Sequence, residues 1–325
     1  MVAGYAIGVD VGATKTSAGL IDTKGRVVRQ ARNLTPKERG PFAIVDNMIN
    51  LAREVSSGVT HAEVAGVGVG VPAQVDFARQ EIEFCTNLPL AGIDVRSLVG
   101  TGLKLPVTID NDGNLASFGE CRYGAGRKVS DVLMVTLGTG VGGGMWLSGE
   151  PYRGARGLAA EFGHMVIDRD GPECTCGGRG HIEAYLGRPA IARRARALAE
   201  SDRGAALIKV AGGTIELVDA DALVATARTG DSASIEILRD LGEVLGDALV
   251  SLVNAFNPRM VCIGGGIGEA ADELVRVAAQ RVDAQALAGR KDVTVVQATL
   301  GNDAGILGAA ALAFDQYAAR EGFNL

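Results

Sequence analysis

The stretch Tyr5–Val28, YAIGVDVGATKTSAGLIDTKGRVV, carries the reading of the fold. β-Rich residues run into a turn at Gly12, leave it again and meet a second break at Gly25, so the segment reads as a strand meander. Asp10, Gly12, Thr14 and Lys15 lie in or beside the first turn. Glycine there lets backbone N–H groups approach an anion, while a hydroxyl and an ammonium add donors, which outlines a phosphate cradle. Taken alone, the segment reads equally well as an ordinary hairpin. A second stretch, Asp131–Gly149 (DVLMVTLGTGVGGGMWLSG), repeats the pattern: a buried strand, a turn at Gly138, Thr139 and Gly140, then another strand. Two such units a domain's length apart suggest a duplicated α/β fold whose halves face one nucleotide. A third glycine cluster, Gly264, Gly265 and Gly266, follows a strand beginning near Arg259 and opens a helix. Its spacing is not that of a dinucleotide fingerprint, and alone it identifies nothing.

Composition narrows the class. A chain of 325 residues exceeds what one core usually organises, so two domains are expected. With 47% hydrophobic and 22% charged residues the chain reads as globular rather than disordered. A net charge of −6 argues against a large nucleic-acid footprint and leaves small molecules as partners. The N-terminal residues lack a basic segment before an apolar one, and no 18-residue apolar run suggests a membrane span, so a cytoplasmic location is expected. Five cysteines, an odd number, fit reduced thiols or a metal site better than a disulfide framework.

Between the two turns, PVTIDNDGNLASFGE reads as a strand followed by Asn111, Asp112, Gly113 and Asn114 leading into a helix. Asp and Asn are common helix caps there. A carboxylate at a helix N-terminus is also held ionised, which suits a group that accepts a hydroxyl proton. Asp112 and Asp110 compete for that role. Farther on, ECTCGGRGHIEAY places two cysteines and a histidine in a glycine-rich loop. His164, Cys174, Cys176 and His181 offer the ligand set of a closed tetrahedral zinc site. A single residue separates the cysteines, against the usual two to four, so an unmetallated loop with a buried histidine stays open. His61 reads as surface, and Cys85, Cys121 and Cys262 as packing residues. Helices are expected over PFAIVDNMINLAREVSSG, with Ile44, Met48, Leu51, Ala52 and Val55 on one face, over the segment ended by Pro258, and from Val296 to Phe314. Arg188, Arg193, Arg194 and Arg196 read as one solvated helix face.

The two turns, together with TIDNDGNLASFGE, GLAAEFGHMVID, CTCGGRGHIEAY and IGGGI, resemble the ROK family of sugar kinases, in the family's order across nearly the whole chain. The resemblance implies a two-domain, actin-like ATPase fold of the ribonuclease H-like kind, with a zinc-bearing loop in the larger domain. The smaller α/β domain would span residues 1–115 and carry the first phosphate loop. The larger, 116–302, would hold the second loop, the zinc loop and the adenosine-side glycines, with a helix at about 303–320 returning to the first domain. The implied activity is ATP-dependent phosphorylation of a hexose hydroxyl, glucose first, with mannose, fructose and N-acetylmannosamine as alternatives. Asp112 matches the general base and Asn111 the adjacent sugar ligand. Asn87, Glu161, His164 and Glu183 match residues that bond sugar hydroxyls. Asp10 matches a Mg²⁺ contact, and Asp10, Gly12, Thr14, Lys15, Gly138, Thr139, Gly140 and Gly264–Gly266 match the ATP site. In the family the structural Zn²⁺ is held by a His and three Cys; here His181 stands for the last Cys. A homo-oligomer, dimer or tetramer, is expected. The family also contains sugar-binding repressors, but these carry a helix-turn-helix module, for which the sequence before the first phosphate-loop strand leaves no room. A catalytically silent sugar sensor is the remaining rival.

Overall fold

The computed structural model describes residues 3–287 and 292–322. The chain forms two compact units. Unit 1 comprises the chain up to Lys128, Gly144–Ala160 and the residues from Asn302 on; unit 2 comprises Val129–Gly143 and Glu161–Gly301.

In unit 1, β1 (Tyr5–Val11), β2 (Lys15–Asp22), β3 (Val27–Leu34), β4 (Val64–Val71) and β7 (Val107–Asn111) form a mixed sheet of order β3-β2-β1-β4-β7. β1–β2 and β2–β3 pair antiparallel, β1–β4 and β4–β7 parallel. β5 (Gln74–Asp76) and β6 (Glu81–Phe84) form a separate antiparallel pair. The strand period of two splits β1 between two cores. Ile7, Val9 and Val11 join the cluster of α1 (Pro41–Val55) and α2 (Val95–Leu103), whose apolar stripe includes Ile44, Met48, Leu51, Ala52 and Val55. Gly8, on the opposite face, lies under α11 (Ala304–Glu321). A Cβ at Gly8 would stand 1.9 Å from the Ile306 carbonyl oxygen, and one at Gly68 on β4 1.9 Å from that of Ala309, so helix backbone rests directly on sheet backbone. The boundary lies at Lys128 and not at 115, because α3 (Asp112–Tyr123) packs along α11 and stays in unit 1.

Unit 2 carries β8 (Val132–Leu137), the start of β9 (Val141–Leu147), β11 (Met260–Gly264) and β12 (Thr294–Gln297). With β10 (Glu150–Pro151) the order is β10-β9-β8-β11-β12, and β11 runs parallel to both β8 and β12. The expected helix from Val296 therefore starts only at Ala304: Thr294–Gln297 pair with Met260–Ile263 as an edge strand first. The helices are α4 (Glu183–Leu186), α5 (Arg188–Ala199), α6 (Ala205–Val210), α7 (Ala220–Arg228), α8 (Ser232–Phe256), α9 (Gly265–Ala270) and α10 (Asp272–Gln285). α8 is capped by Asp231 and stops at Asn257 in the left-handed conformation, just before Pro258. On α5, Arg188 pairs with Asp221 and Arg194 with Asp240, while the Arg196 Nε–H donates to the Val218 carbonyl. Among the described residues no helix is long and apolar enough to cross a membrane.

Both five-stranded sheets share one order, the third, second, first, fourth and fifth of their own strands. The β1–β2 and β8–β9 turns therefore occupy the same station in each.

Candidate functional site

In unit 1 the β1–β2 turn is closed by the Gly12 N–H donating to the Lys15 carbonyl at 2.8 Å. Thr35 braces it from β3's end. Its N–H donates to the Thr14 carbonyl at 2.9 Å, its hydroxyl to the Gly12 carbonyl at 2.7 Å, and Thr16 and Thr35 hydroxyls meet at 2.9 Å. Thr14 and Lys15 are left exposed. Asp10 enters the turn with no hydrogen-bond partner among the described residues. Its carboxyl fills the space above Gly305, where a Cβ would lie 2.7 Å from Asp10 Cγ. Burial, only partly offset by Arg32, pushes its pKa up to about 6.

The strand-to-helix junction of β7 and α3 separates two neighbouring carboxylates. Asp110 is wholly buried. Its Oδ1 accepts from the Asn111 N–H (2.8 Å) and Asn114 Nδ2 (3.0 Å), and its Oδ2 from Arg153 Nε at 2.7 Å. The Arg153 guanidinium also lies 3.9 Å from the Phe77 ring centroid. Both Asp110 oxygens are thus engaged in holding the junction together. Asp112, half-buried, is the first residue of α3, and its Oδ1 accepts from the Gly113 N–H at 2.9 Å. Asn111 caps the helix: its Oδ1 accepts from the Gly113 and Asn114 N–H groups, and its Nδ2 donates to the Ala73 carbonyl. Burial raises the Cys85 thiol pKa and the Asp112 charge adds to that rise, so Asp112 is felt at the 85–87 segment, where Asn87 is exposed.

In unit 2 the β8–β9 turn is closed by the Gly138 N–H donating to the Gly140 carbonyl at 2.9 Å, with Thr139 exposed. Gly265 presses on the same strand with φ +79°, and a Cβ there would lie 2.5 Å from the Leu137 oxygen, so only glycine fits. Glu183, at the start of α4, reaches back to this turn. Its Oε2 accepts from the Val141 N–H at 2.9 Å and its Oε1 from the Thr175 hydroxyl at 3.1 Å. Glu161 caps a short 3₁₀ turn, Phe162–His164, that ends in His164. Desolvation raises the Glu161 pKa; His164 counters this and Glu183 reinforces it.

His164, Cys174, Cys176 and His181 converge, with one ligand atom from each lying within 4.8 Å of the others. Cys174 Sγ faces His164 Nδ1 at 3.9 Å and Cys176 Sγ faces His181 Nδ1 at 3.2 Å. The loop makes room for an imidazole in place of a thiol through Gly178, where a Cβ would sit 2.3 Å from His181 Cε1. Cys85 is partly buried and Cys121 and Cys262 fully so, and none of the three belongs to the cluster. His61 is exposed and bonds the Leu103 carbonyl.

Two contributors went unread in the sequence: Thr35, which braces the first turn, and Arg153, which neutralises Asp110. Neither lies in a recognisable motif. The signal for Arg153 was indirect, because a strand ending in two nearby carboxylates calls for a cation beside the one that is buried.

Residues 6–316 match the ROK family. A glucokinase from Streptomyces coelicolor is 33% identical over 314 residues, covering 95% of this chain and 98% of that one. Among solved structures, a ROK family glucokinase from Streptomyces griseus, in complex with glucose and AMPPNP, superposes with a TM-score of 0.86 at 33% identity, covering 95% of this chain and 99% of that one. A ROK hexokinase from Thermus thermophilus gives a TM-score of 0.78 at 29% identity, covering 98% and 100%. The chain belongs to the ROK family.

Proposed function

We propose that this protein transfers the γ-phosphoryl group of ATP to glucose, giving glucose 6-phosphate, within an actin-like ATPase fold in the cytoplasm. The observation that carries the reading is the sorting of the two carboxylates at the β7–α3 junction: Arg153 and Asn114 hold the wholly buried Asp110, whereas the half-buried Asp112 stands at the start of α3 and is assigned the sugar hydroxyl. Phosphoryl transfer asks the protein mainly for positioning and charge stabilisation. The hydroxyl proton passes to the Asp112 carboxylate as the sugar oxygen bonds to the γ-phosphorus, the bond to the β–γ bridging oxygen breaks, and ADP leaves. In-line positioning is worth roughly 7 to 11 kcal/mol and the base about 10²- to 10⁴-fold, so geometry outweighs proton transfer.

Gly12, Thr14 and Lys15 in unit 1 and Gly138, Thr139, Gly140 and Gly264–Gly266 in unit 2 are the residues assigned to ATP. Asp10 would hold Mg²⁺, directly or through water, and the ion would neutralise phosphate charge. Its unpartnered, burial-raised carboxylate fits a group that gains by meeting a cation. Asn87, Asn111, Glu161, His164 and Glu183 are assigned to sugar hydroxyls. Asn111 and Glu183 already serve as helix cap and turn clamp, so they would offer only their remaining lone pairs. Two imidazoles and two thiols fit Zn²⁺, which would stiffen the loop rather than activate water. Ligation of His164 through Nδ1, the nitrogen that faces Cys174, would leave Nε2 for the sugar.

The test is ADP release by purified protein with ATP and Mg²⁺ against glucose, mannose, fructose and N-acetylmannosamine, with zinc quantified on the same sample. Preferred turnover of glucose is expected. Sugar binding without ADP release would overturn the kinase reading in favour of a sensor.

A further inference from the structure

Unit 2 brings one cation to the meeting point of its two glycine loops. The Arg188 backbone N–H donates to the Gly138 carbonyl at 3.1 Å, and a Cβ at the preceding Gly187 would lie 3.3 Å from the Thr139 oxygen, so the α4–α5 link runs against the β8–β9 turn. The Arg188 side chain extends from there over the glycine cluster, where a Cβ on the exposed Gly266 would stand 3.3 Å from Nη2. Its far end is pinned. Nη1 and Nη2 donate to the two Asp221 oxygens at 2.6 and 2.8 Å, a fork-to-fork pair that fixes the guanidinium plane.

We propose that Arg188, held flat by Asp221, walls the adenosine side of the nucleotide site and stacks its guanidinium face on the purine. With both terminal nitrogens committed to Asp221, its charge is locally compensated. What remains for a ligand lying on Gly264–Gly266 is the planar face, and arginine planes stack on nucleobases. The assignment makes Arg188 a specificity residue for the base, not a phosphate ligand.

This inference rests on the proposed use of ATP, so its test measures binding rather than turnover. ADP, inorganic tripolyphosphate and glucose are titrated calorimetrically into wild-type protein, Arg188→Ala, Arg188→Lys and Asp221→Asn. Arg188→Ala is expected to weaken ADP about tenfold, the worth of one stacking contact, with tripolyphosphate and glucose unchanged. Arg188→Lys keeps the charge and the main-chain bond to Gly138 but not the plane, and should fail to restore ADP binding. Asp221→Asn should lose less than Arg188→Ala. Unchanged ADP affinity in Arg188→Ala, equal losses for ADP and tripolyphosphate, or rescue by lysine would each overturn the stacking role. Wild-type protein that binds no ADP would instead remove the kinase reading itself.

Discussion

The β1–β2 and β8–β9 turns sit at the same station in two sheets of one strand order, yet they are armed differently. The first carries its own charges: Asp10 at its entry and Lys15 at its exit, braced by threonine hydroxyls. The second, Gly138–Gly140, has no charged residue and is held from elsewhere in the chain, by the Glu183 carboxylate on one side and the Arg188 backbone N–H on the other. A repeated frame fixes where backbone N–H groups point, and the side chains then specialise each copy. Under the proposed assignments the groups that would act on the reaction, Asp112 and Asp10, fall in unit 1, while the residues assigned in unit 2 are all binding groups. Changes in unit 1 should lower kcat, and changes in unit 2 should raise KM.

The largest expected effect tests the unit 1 side. Asp112→Asn should lower kcat by about 10²- to 10⁴-fold while glucose and ATP still bind, measured by coupled assay and calorimetry. Its neighbour makes the control. Asp110→Ala strips a buried partner from Arg153 and should cost about 3 to 5 kcal/mol of stability, read from denaturant unfolding. If instead Asp110→Ala gave the chemical defect and Asp112→Asn the folding defect, the division of labour at the β7–α3 junction would be reversed.

Asp10 comes next. Its pKa rises from 3.8 to about 6 on folding, so the ionised carboxylate disfavours the folded state. That penalty is absent below the lower value, grows between the two and is complete above the higher one. Asp10→Asn should therefore raise the melting temperature of metal-free protein at about pH 8 but not at about pH 3.5, while turnover at saturating ATP and Mg²⁺ falls by at least tenfold. A group that is better for stability when neutral, and better for activity when charged, marks a functional position. Equal melting temperatures at both pH values would show that Asp10 is not strained in this way.

On the unit 2 side, if the His164, Cys174, Cys176 and His181 cluster holds the proposed Zn²⁺, a chelator should raise the glucose KM about tenfold and leave kcat nearly unchanged, because Cys174 also meets Glu183 and a metal there would order Glu183 and His164 rather than react. A fall in kcat with constant KM would break the contrast between the units.

Much of this was legible in the sequence because it follows from period and punctuation. Glycine turns between strands announce both loops, and the Asp/Asn run before a helical segment announces a cap without saying which residue it is; the cap is Asn111. The reading failed where tertiary packing overrode local pattern. Val296 and Gln297 read as the start of the C-terminal helix, but β11 offers an open edge, and they pair with it as the end of β12. The motif change points to a domain switch at 115, whereas α3 is held to unit 1 by its contact with α11, which arrives from the far end of the chain. Arg153 and Thr35 were missed for the same reason: each meets its partner across 43 or 23 residues of sequence, with no motif at either end.

The smallest expected effect concerns the step between the units' segments. Ala160 has φ +69°, a conformation costing a non-glycine residue about 1 kcal/mol, and it directly precedes Glu161. Ala160→Gly relieves the steric cost but adds freedom to the unfolded chain and to the link, so stability should change by less than about 1 kcal/mol. The sugar site should respond more clearly. If the strain sets the direction of Glu161, the glucose KM rises by a factor of about two to five with kcat constant, the signature assigned to unit 2. A change confined to kcat would place Glu161 among the groups that act on the reaction, and an unchanged KM would mean that Glu161 is held by its surroundings in unit 2 and not by the backbone that delivers it.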